Sequence, residues 1–265
     1  NDCVAEARWL AGEGVRELIL VAQDPTAYGE DWGRPGAICE LLDRLQEIDG
    51  IRWIRILYAY PERISDEFIA AMVRNTKVVP YLDLPIQHCD DAVLKAMNRR
   101  GGRKEIEDAI ARLRAAIPGI TLRTTLIAGF PGETEEQYAE LCDFVKTVRF
   151  DRLGCFAYSQ EEGTPAALMP DQIDDEVKNH RAEIIMESQM NIMDRLGEKQ
   201  VGGDITVLTE GFDRYAECWF GRSAMDAPDI DGKVFFSAET KPYYGEMVTV
   251  HVDEAIDGDL FGTRV

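Results

Sequence analysis

Short apolar runs alternate with amphipathic stretches along the first 160 residues of the chain. Each run is rich in β-branched or aromatic residues, which is typical of strands buried on both faces. This strand, helix, strand order predicts an α/β fold with a parallel sheet or a (β/α) barrel. The predicted strands are residues 18–22, 53–57, 81–84, 124–127 and 153–158.

The amphipathic stretches carry recognisable helix ends. Asp2 and Ser65 are each suited to cap the start of a helix, and Pro35 suits the first turn of another. Residues 103–117 place their apolar side chains on one face. Thr134 is followed three residues later by a glutamine, which predicts a capping box and a helix through residue 148.

The last third of the chain has a different pattern. Residues 173–199 predict one long helix, which Gly202 and Gly203 interrupt. The short strands beyond it are separated by Gly, Asp and Pro, which is typical of a small antiparallel β-barrel. We therefore divide the chain into residues 1–197 and residues 198–265. The predicted strands of the second part are residues 204–208, 216–220, 233–236 and 247–252.

The chain is strongly acidic. It has 49 acidic and 29 basic residues, a net charge of −20, and residues 198–265 alone carry 14 acidic and 6 basic residues. An acidic surface repels a phosphate backbone, so binding of tRNA or another nucleic acid is not expected. The charge is explained equally well by solubility and by a cationic protein partner.

The six cysteines have no metal-site spacing, since none lies within four residues of another. We therefore expect no metal ligands among them and interpret most of them, which lie in apolar segments, as buried structural thiols of a cytoplasmic protein. No run of about 18 apolar residues predicts a membrane span.

Polar residues follow each of the five predicted strands of the first part. Functional groups of a (β/α) barrel cluster at these ends, so the pattern favours a site for a polar small molecule. The alternative is that loops are polar in any case. Gly129, directly after the fourth strand, predicts close approach of the backbone to a ligand, and the helix from Thr134 points free N–H groups the same way. His88 has no nearby Ser or Cys nucleophile, which favours a structural role.

The motifs at these strand ends, in this order, resemble radical S-adenosylmethionine (SAM) methylthiotransferases. The resemblance covers nearly the whole chain and includes a C-terminal module that looks like a TRAM domain. It implies a partial, TIM-like (β/α) barrel followed by a small β-barrel. The motifs are residues 23–29 (QDPTAYG), 85–88 (PIQH), 93–100 (VLKAMNRR), 129–134 (GFPGET) and 163–167 (GTPAA).

Within that family, two features favour members that add a methylthio group to the β-carbon of an aspartate in a basic small-subunit ribosomal protein. Gln87 is followed by His88 and Cys89, where the tRNA-modifying members tend to have Ser-Gly-Ser, and the C-terminal module is acidic. A tRNA methylthiotransferase of the same family remains one alternative. The other is a non-catalytic acidic module that docks a basic protein. An ordinary barrel aldolase is not favoured, because no predicted strand ends in lysine.

The resemblance implies SAM and two 4Fe–4S clusters as cofactors. The CxxxCxxC motif that binds one cluster in this family is absent, and we expect it, together with the first strand and a cluster domain, to belong upstream of residue 1; the chain as given is then inactive. The resemblance assigns no catalytic residue here. The residues that it places around SAM are Gln23, Gln87, Arg123, Thr125, Gly129, Phe156 and Tyr158.

Overall fold

Five parallel strands form one open sheet in the computed structural model, which describes residues 2–265. The strands lie side by side in chain order with helices between them, which confirms the predicted partial (β/α) barrel. The strands are β1 (Glu17–Leu20), β2 (Trp53–Ile56), β3 (Val78–Asp83), β4 (Thr121–Ala128) and β5 (Arg152–Ala157). The helices are α1 (Asp2–Gly12), α2 (Ala37–Gln46), α3 (Asp66–Arg74), α4 (Asp91–Ala96), α5 (Arg103–Ala116), α6 (Glu135–Val148) and α7 (Asp175–Glu198). We call residues 2–198 the half barrel.

Successive strand residues point to opposite sides of the sheet, and the two sides differ in chemistry. Ile54, Leu82 and Leu122 are buried in one core with the apolar faces of the helices. The neighbouring residues Arg55 and Arg123 are also buried, but they lie on the concave, inner side. The half barrel therefore has an apolar outer layer and a charged interior.

The C-terminal part is a closed barrel of five strands, in the order β10, β8, β7, β6, β9. Its core consists mainly of valines and aromatic residues, among them Val207, Trp219 and Phe236. We call residues 204–264 the C-terminal barrel. Its strands are β6 (Asp204–Asp213), β7 (Cys218–Ser223), β8 (Val234–Ser237), β9 (Met247–Ile256) and β10 (Asp259–Arg264).

The structure differs from the sequence-based prediction at three elements. Helix α2 begins at Ala37, after Gly36 in a left-handed conformation (φ +79°), so the placement of Pro35 in its first turn is wrong. Strand β7 begins at Cys218 rather than 216, because the Asp213 carboxylate accepts the N–H groups of the preceding turn. Strand β10 was not predicted, and its pairing with β8 is parallel, so the barrel is not wholly antiparallel.

One loop of the C-terminal barrel enters the half barrel at the N-terminal ends of its strands. We call residues 224–231 the interface loop. Its Ala227 is fully buried in a small apolar cluster with Leu57, Val79 and Tyr81. The charged interior of the half barrel is thus closed on one side by the C-terminal barrel. None of the helices formed by residues 2–265 is both long enough and apolar enough to span a bilayer.

Candidate functional site

The most unusual backbone at the C-terminal strand ends is that of Gln87. It has φ +69°, and the N–H of His88 donates to the carbonyl of Ile86 at 2.9 Å, which makes Gln87 the centre of a strained three-residue turn. Strand β4 holds it there. The N–H of Gln87 donates to the Thr125 carbonyl at 2.9 Å, and the Gln87 carbonyl accepts from Ile127 at 2.8 Å. Strain that is fixed in this way is found mainly at functional sites.

Arg123 and Thr125 lie beside this turn on the inner side of β4. One Arg123 nitrogen, Nη1, donates to Asp83 Oδ1 at 3.0 Å and to Thr125 Oγ1 at 3.3 Å. Burial raises the pKa of Asp83, and the Arg123 charge opposes that rise. Arg123 therefore has protein partners already, and as the third residue of β4 it lies away from the C-terminal end of that strand.

Gly129 adopts φ +76° directly after β4, as a close approach requires, but its neighbour is part of the protein. A Cβ atom at this position would overlap Cγ of Lys178, on α7. The N–H of Gly129 donates to Glu133 Oε2 at 3.0 Å. The glycine is therefore needed for the packing of α7 against the loop, a reason that the sequence does not reveal.

A substitution at Gly129 tests this reading. We expect Gly129→Ala to lower the free energy of unfolding by about 2 kcal/mol more than Gly132→Ala, because overpacking is added to backbone strain. Gly132 has a similar φ of +81°, but nothing lies within 4 Å of an added Cβ. Urea denaturation of both variants measures the difference. Equal losses would show that Lys178 moves aside freely.

The loop after Gly129 is held by a buried cluster of charges around Glu133. Glu133 Oε1 accepts from Arg181 at 2.7 Å, and its Oε2 lies 3.4 Å from Nε2 of His88. The other His88 nitrogen, Nδ1, accepts the N–H of Asp90 at 3.0 Å, so a neutral imidazole carries its proton on Nε2, toward Glu133. The geometry gives His88 the structural role that its sequence context favours.

The end of β5 presents two aromatic side chains. Phe156 is 61% exposed, and Tyr158 packs edge-on against Phe130 with ring centroids 5.3 Å apart. The Tyr158 hydroxyl is buried and has no hydrogen-bond partner, and the Lys178 ammonium lies 5.6 Å from the ring centroid. An orphaned hydroxyl of this kind fits a missing polar ligand. Lys178 was not singled out from the sequence, since one lysine in a polar helix start carries no signal.

The seven residues predicted around SAM thus form two connected groups and one separate residue. Hydrogen bonds join Gln87, Thr125 and Arg123. The second group, Gly129, Phe156 and Tyr158, lies where β4 and β5 end, and the N–H of Tyr158 donates to the carbonyl of Ala128 at 2.9 Å. Gln23 is exposed beyond the end of β1.

A cavity of about 550 Å³ lies on the other side of β1, along its unpaired edge. Its walls are mostly apolar and come from α1, β1, the loop that follows β1, and α2. Sequence patterns gave no sign of it, because each of these side chains resembles ordinary core. The cavity shares with the polar strand ends only the segment that follows β1, where Asp24, Pro25, Ala27, Tyr28 and Gly29 line it, so the two are neighbouring features.

The cysteines do not assemble a metal centre. All six thiols are free, and residues 2–265 contain no group of three or more Cys, His, Asp or Glu side chains arranged to hold a metal ion. Burial raises the pKa of Cys89 and of Cys155 to about 12, which keeps both thiols protonated at neutral pH. An iron–sulfur cluster needs several thiolates together, so the described residues do not fit one.

Comparison with known proteins agrees with this fold. Residues 1–145 match the family model of the Radical SAM superfamily, and residues 201–265 match the model of the TRAM domain. The chain belongs to the radical SAM superfamily. Coproporphyrinogen III oxidase (HemN) from Escherichia coli has a similar structure, with a TM-score of 0.52 and 20% identity over 74% of this chain and 46% of that chain. That likeness concerns the radical SAM fold alone.

Curated relatives are considerably more similar in sequence to this chain than HemN is. "Ribosomal protein uS12 methylthiotransferase RimO" of Clostridium acetobutylicum is 45% identical over 99% of the chain and 58% of the relative. The protein of the same name from Lachnoclostridium phytofermentans is 48% identical over 98% of the chain and 59% of the relative. The chain thus spans somewhat more than half the length of these relatives.

Proposed function

We propose that this chain forms the SAM-orienting and partner-binding part of a methylthiotransferase whose substrate is an aspartate of ribosomal protein uS12. The observation that carries the proposal is the 45% identity to a uS12 methylthiotransferase across almost the entire chain, both barrels included. The strained turn at Gln87 and the orphaned Tyr158 hydroxyl support a ligand at the mouth of the half barrel. The proposed reaction replaces a hydrogen on the aspartate β-carbon with a methylthio group.

The proposed SAM site uses this chain's own residues for binding and orientation. Gln87 offers polar groups in the turn beyond β3, Thr125 offers its hydroxyl from within β4, and Tyr158 offers its free hydroxyl. Phe156 is available to cover an adenine ring, and Gln23 to contribute from the end of β1. Gly129 and Arg123 shape this site through their contacts with other residues of the chain, and neither offers a free group to a ligand. SAM supplies a methyl group and a source of an adenosyl radical when bound.

The family also implies iron–sulfur chemistry, with two 4Fe–4S clusters in the proposed enzyme. Because residues 2–265 bring no three metal-binding side chains together, their part is to hold SAM and substrate and to exclude water. We place the enzyme in the cytoplasm, in accord with its six free thiols. A division into two domains near residue 198, where α7 ends, fits the same scheme.

The acidic C-terminal barrel favours a basic protein over tRNA as the partner, since opposite charges attract and phosphates are repelled. Fluorescence anisotropy with the full chain at physiological salt tests this choice, with purified uS12 and bulk tRNA as the two titrants. We expect saturable binding of uS12 and none of tRNA. Tight binding of tRNA, with no binding of uS12, would instead establish the tRNA-modifying alternative.

One substitution at Gln87 distinguishes the effect of its backbone conformation on stability from the effect of its side chain on SAM binding. We expect Gln87→Gly to leave the free energy of unfolding within about 1 kcal/mol of the wild type, because a glycine tolerates φ +69°. The same change should weaken SAM binding about tenfold, since the side-chain amide is lost. Isothermal calorimetry and urea denaturation measure the two effects.

The matched control is Asp257→Gly, another residue with positive φ (+51°), in the hairpin between β9 and β10. It should change stability by a similar amount and leave SAM binding unaltered. Unchanged SAM binding in Gln87→Gly would remove Gln87 from the proposed site.

A further inference from the structure

Asp231, in the interface loop, belongs to the C-terminal barrel in sequence but lies in the interior of the half barrel in space. Its side chain is only 2% exposed. Its Oδ2 accepts from the Tyr81 hydroxyl at 2.7 Å and from the N–H of Ala227 at 2.8 Å. Its Oδ1 lies 3.6 Å from Nε of Arg123. A buried carboxylate with these partners is fixed firmly in position.

The contacts of Asp231 lead in two steps to the candidate site. Arg123 stands between Asp231 on one side and Asp83 and Thr125 on the other. Thr125 in turn accepts the N–H of Gln87 through its carbonyl oxygen. Both steps are direct contacts between buried or part-buried groups, and the first is an ion pair, which is stronger in the interior than at the surface.

We propose that Asp231 is a positioning residue for the cofactor site: it fixes the Arg123 guanidinium and, through it, Thr125 and the strained turn at Gln87. In addition to its proposed role in partner docking, the C-terminal barrel then contributes Asp231 to the interior of the half barrel. This inference rests on the proposed function only where it names SAM as the ligand of that site.

The small number of carboxylates around Arg123 supports this positioning role of Asp231. Without the Asp231 charge, the Arg123 guanidinium retains Asp83 as its one carboxylate partner among residues 2–265. An asparagine at position 231 keeps an acceptor oxygen for the Tyr81 hydroxyl but removes the negative charge that faces Arg123. The guanidinium is then held from one side only, by Asp83 and Thr125, so its position and its hydrogen bond to Thr125 are less firmly fixed.

Hydrogen exchange on the full chain tests the proposal without SAM, with Asp231→Asn as the variant. The amides of Gln87 and Ile127, which form the bridge between the turn and β4, should exchange about tenfold faster, because their local opening becomes easier. The amide of Ile69 in α3 and that of Val250 in the C-terminal barrel should keep their wild-type rates. The matched control is Asp229→Asn, the same change at an exposed position of the same loop, which should alter none of these rates.

Two outcomes would overturn the proposal. One is unchanged exchange at Gln87 and Ile127 in folded Asp231→Asn protein. The other is an equal acceleration of every protected amide, which indicates a general loss of stability only. If Asp231→Asn does not fold, Tyr81→Phe removes one hydrogen bond to Asp231 with little change of shape. It should speed the same two amides by roughly threefold, and a wild-type rate there would contradict the proposal.

A second measurement links the exchange result to the ligand. SAM affinity of the full chain should fall about fivefold in Asp231→Asn and stay unchanged in Asp229→Asn, as the loss of a positioning contact predicts. Failure of the wild-type chain to bind SAM would count against the proposed function. The exchange rates would still decide whether Asp231 positions the turn, so the two failures are distinguishable.

Discussion

Replacement of Glu133 by glutamine is expected to lower the free energy of unfolding by about 3–5 kcal/mol, the usual effect of breaking a buried ion pair. The Glu133 carboxylate is fully buried and accepts from both Arg181 and the N–H of Gly129. A glutamine keeps one acceptor oxygen, but its NH₂ group must face either another donor or the arginine. The Arg181 guanidinium, only 6% exposed, would lose its buried counter-charge.

The neighbouring Glu135 provides the control. It also pairs with Arg181, but its side chain is 76% exposed. Glu135→Gln should therefore cost less than about 1 kcal/mol, as exposed ion pairs do. Urea denaturation of the two variants at neutral pH gives both values. If the two losses were equal, burial would not be what makes the Glu133 contacts important.

Arg55→Met should cost about 3 kcal/mol and should separate the unfolding of the two barrels. Arg55 is completely buried and donates to Glu17 at 2.8 Å and to the carbonyls of Ala224 and Ser223 at 2.9 and 3.3 Å. Its guanidinium also lies 4.6 Å from the centre of the Tyr81 ring. Methionine has a similar length but replaces none of these polar contacts.

Calorimetry at several scan rates distinguishes the outcomes. The wild type should unfold in a single transition, and Arg55→Met in two, because the interface loop no longer joins the barrels firmly. Arg52→Met is the matched control, since Arg52 is exposed on the same stretch of chain and should leave a single transition. A single transition in Arg55→Met, at the wild-type temperature, would show that other contacts suffice.

The half barrel is predictable from the sequence because its signals are local. Five apolar runs become the five strands, and the capping box at Thr134 forms with both of its hydrogen bonds. Elements with weak local signals were misread or missed. Strand β10 contains Gly262 and only six residues, and α2 begins two residues beyond Pro35 because a left-handed glycine intervenes.

The candidate site is predictable in its location but not in its chemistry. Strand ends identify where Gln87 and Tyr158 lie, since parallel strands bring these ends together. The partners of Arg123 could not be predicted, because Asp83 is 40 residues away and Asp231 belongs to the other barrel. The left-handed turn at Gln87 was equally hidden, since glutamine has no preference for it.

The side on which the interface loop enters has a consequence for substrate selection. The loop contacts the beginnings of the strands, whereas Gln87 and Tyr158 follow their ends. An eight-residue strand such as β4 is about 26 Å long at the usual rise per residue. In the proposed function, a protein held on the C-terminal barrel has to extend a segment along the half barrel to present its aspartate at the strand ends, so reach, as well as charge, would discriminate between candidate substrates.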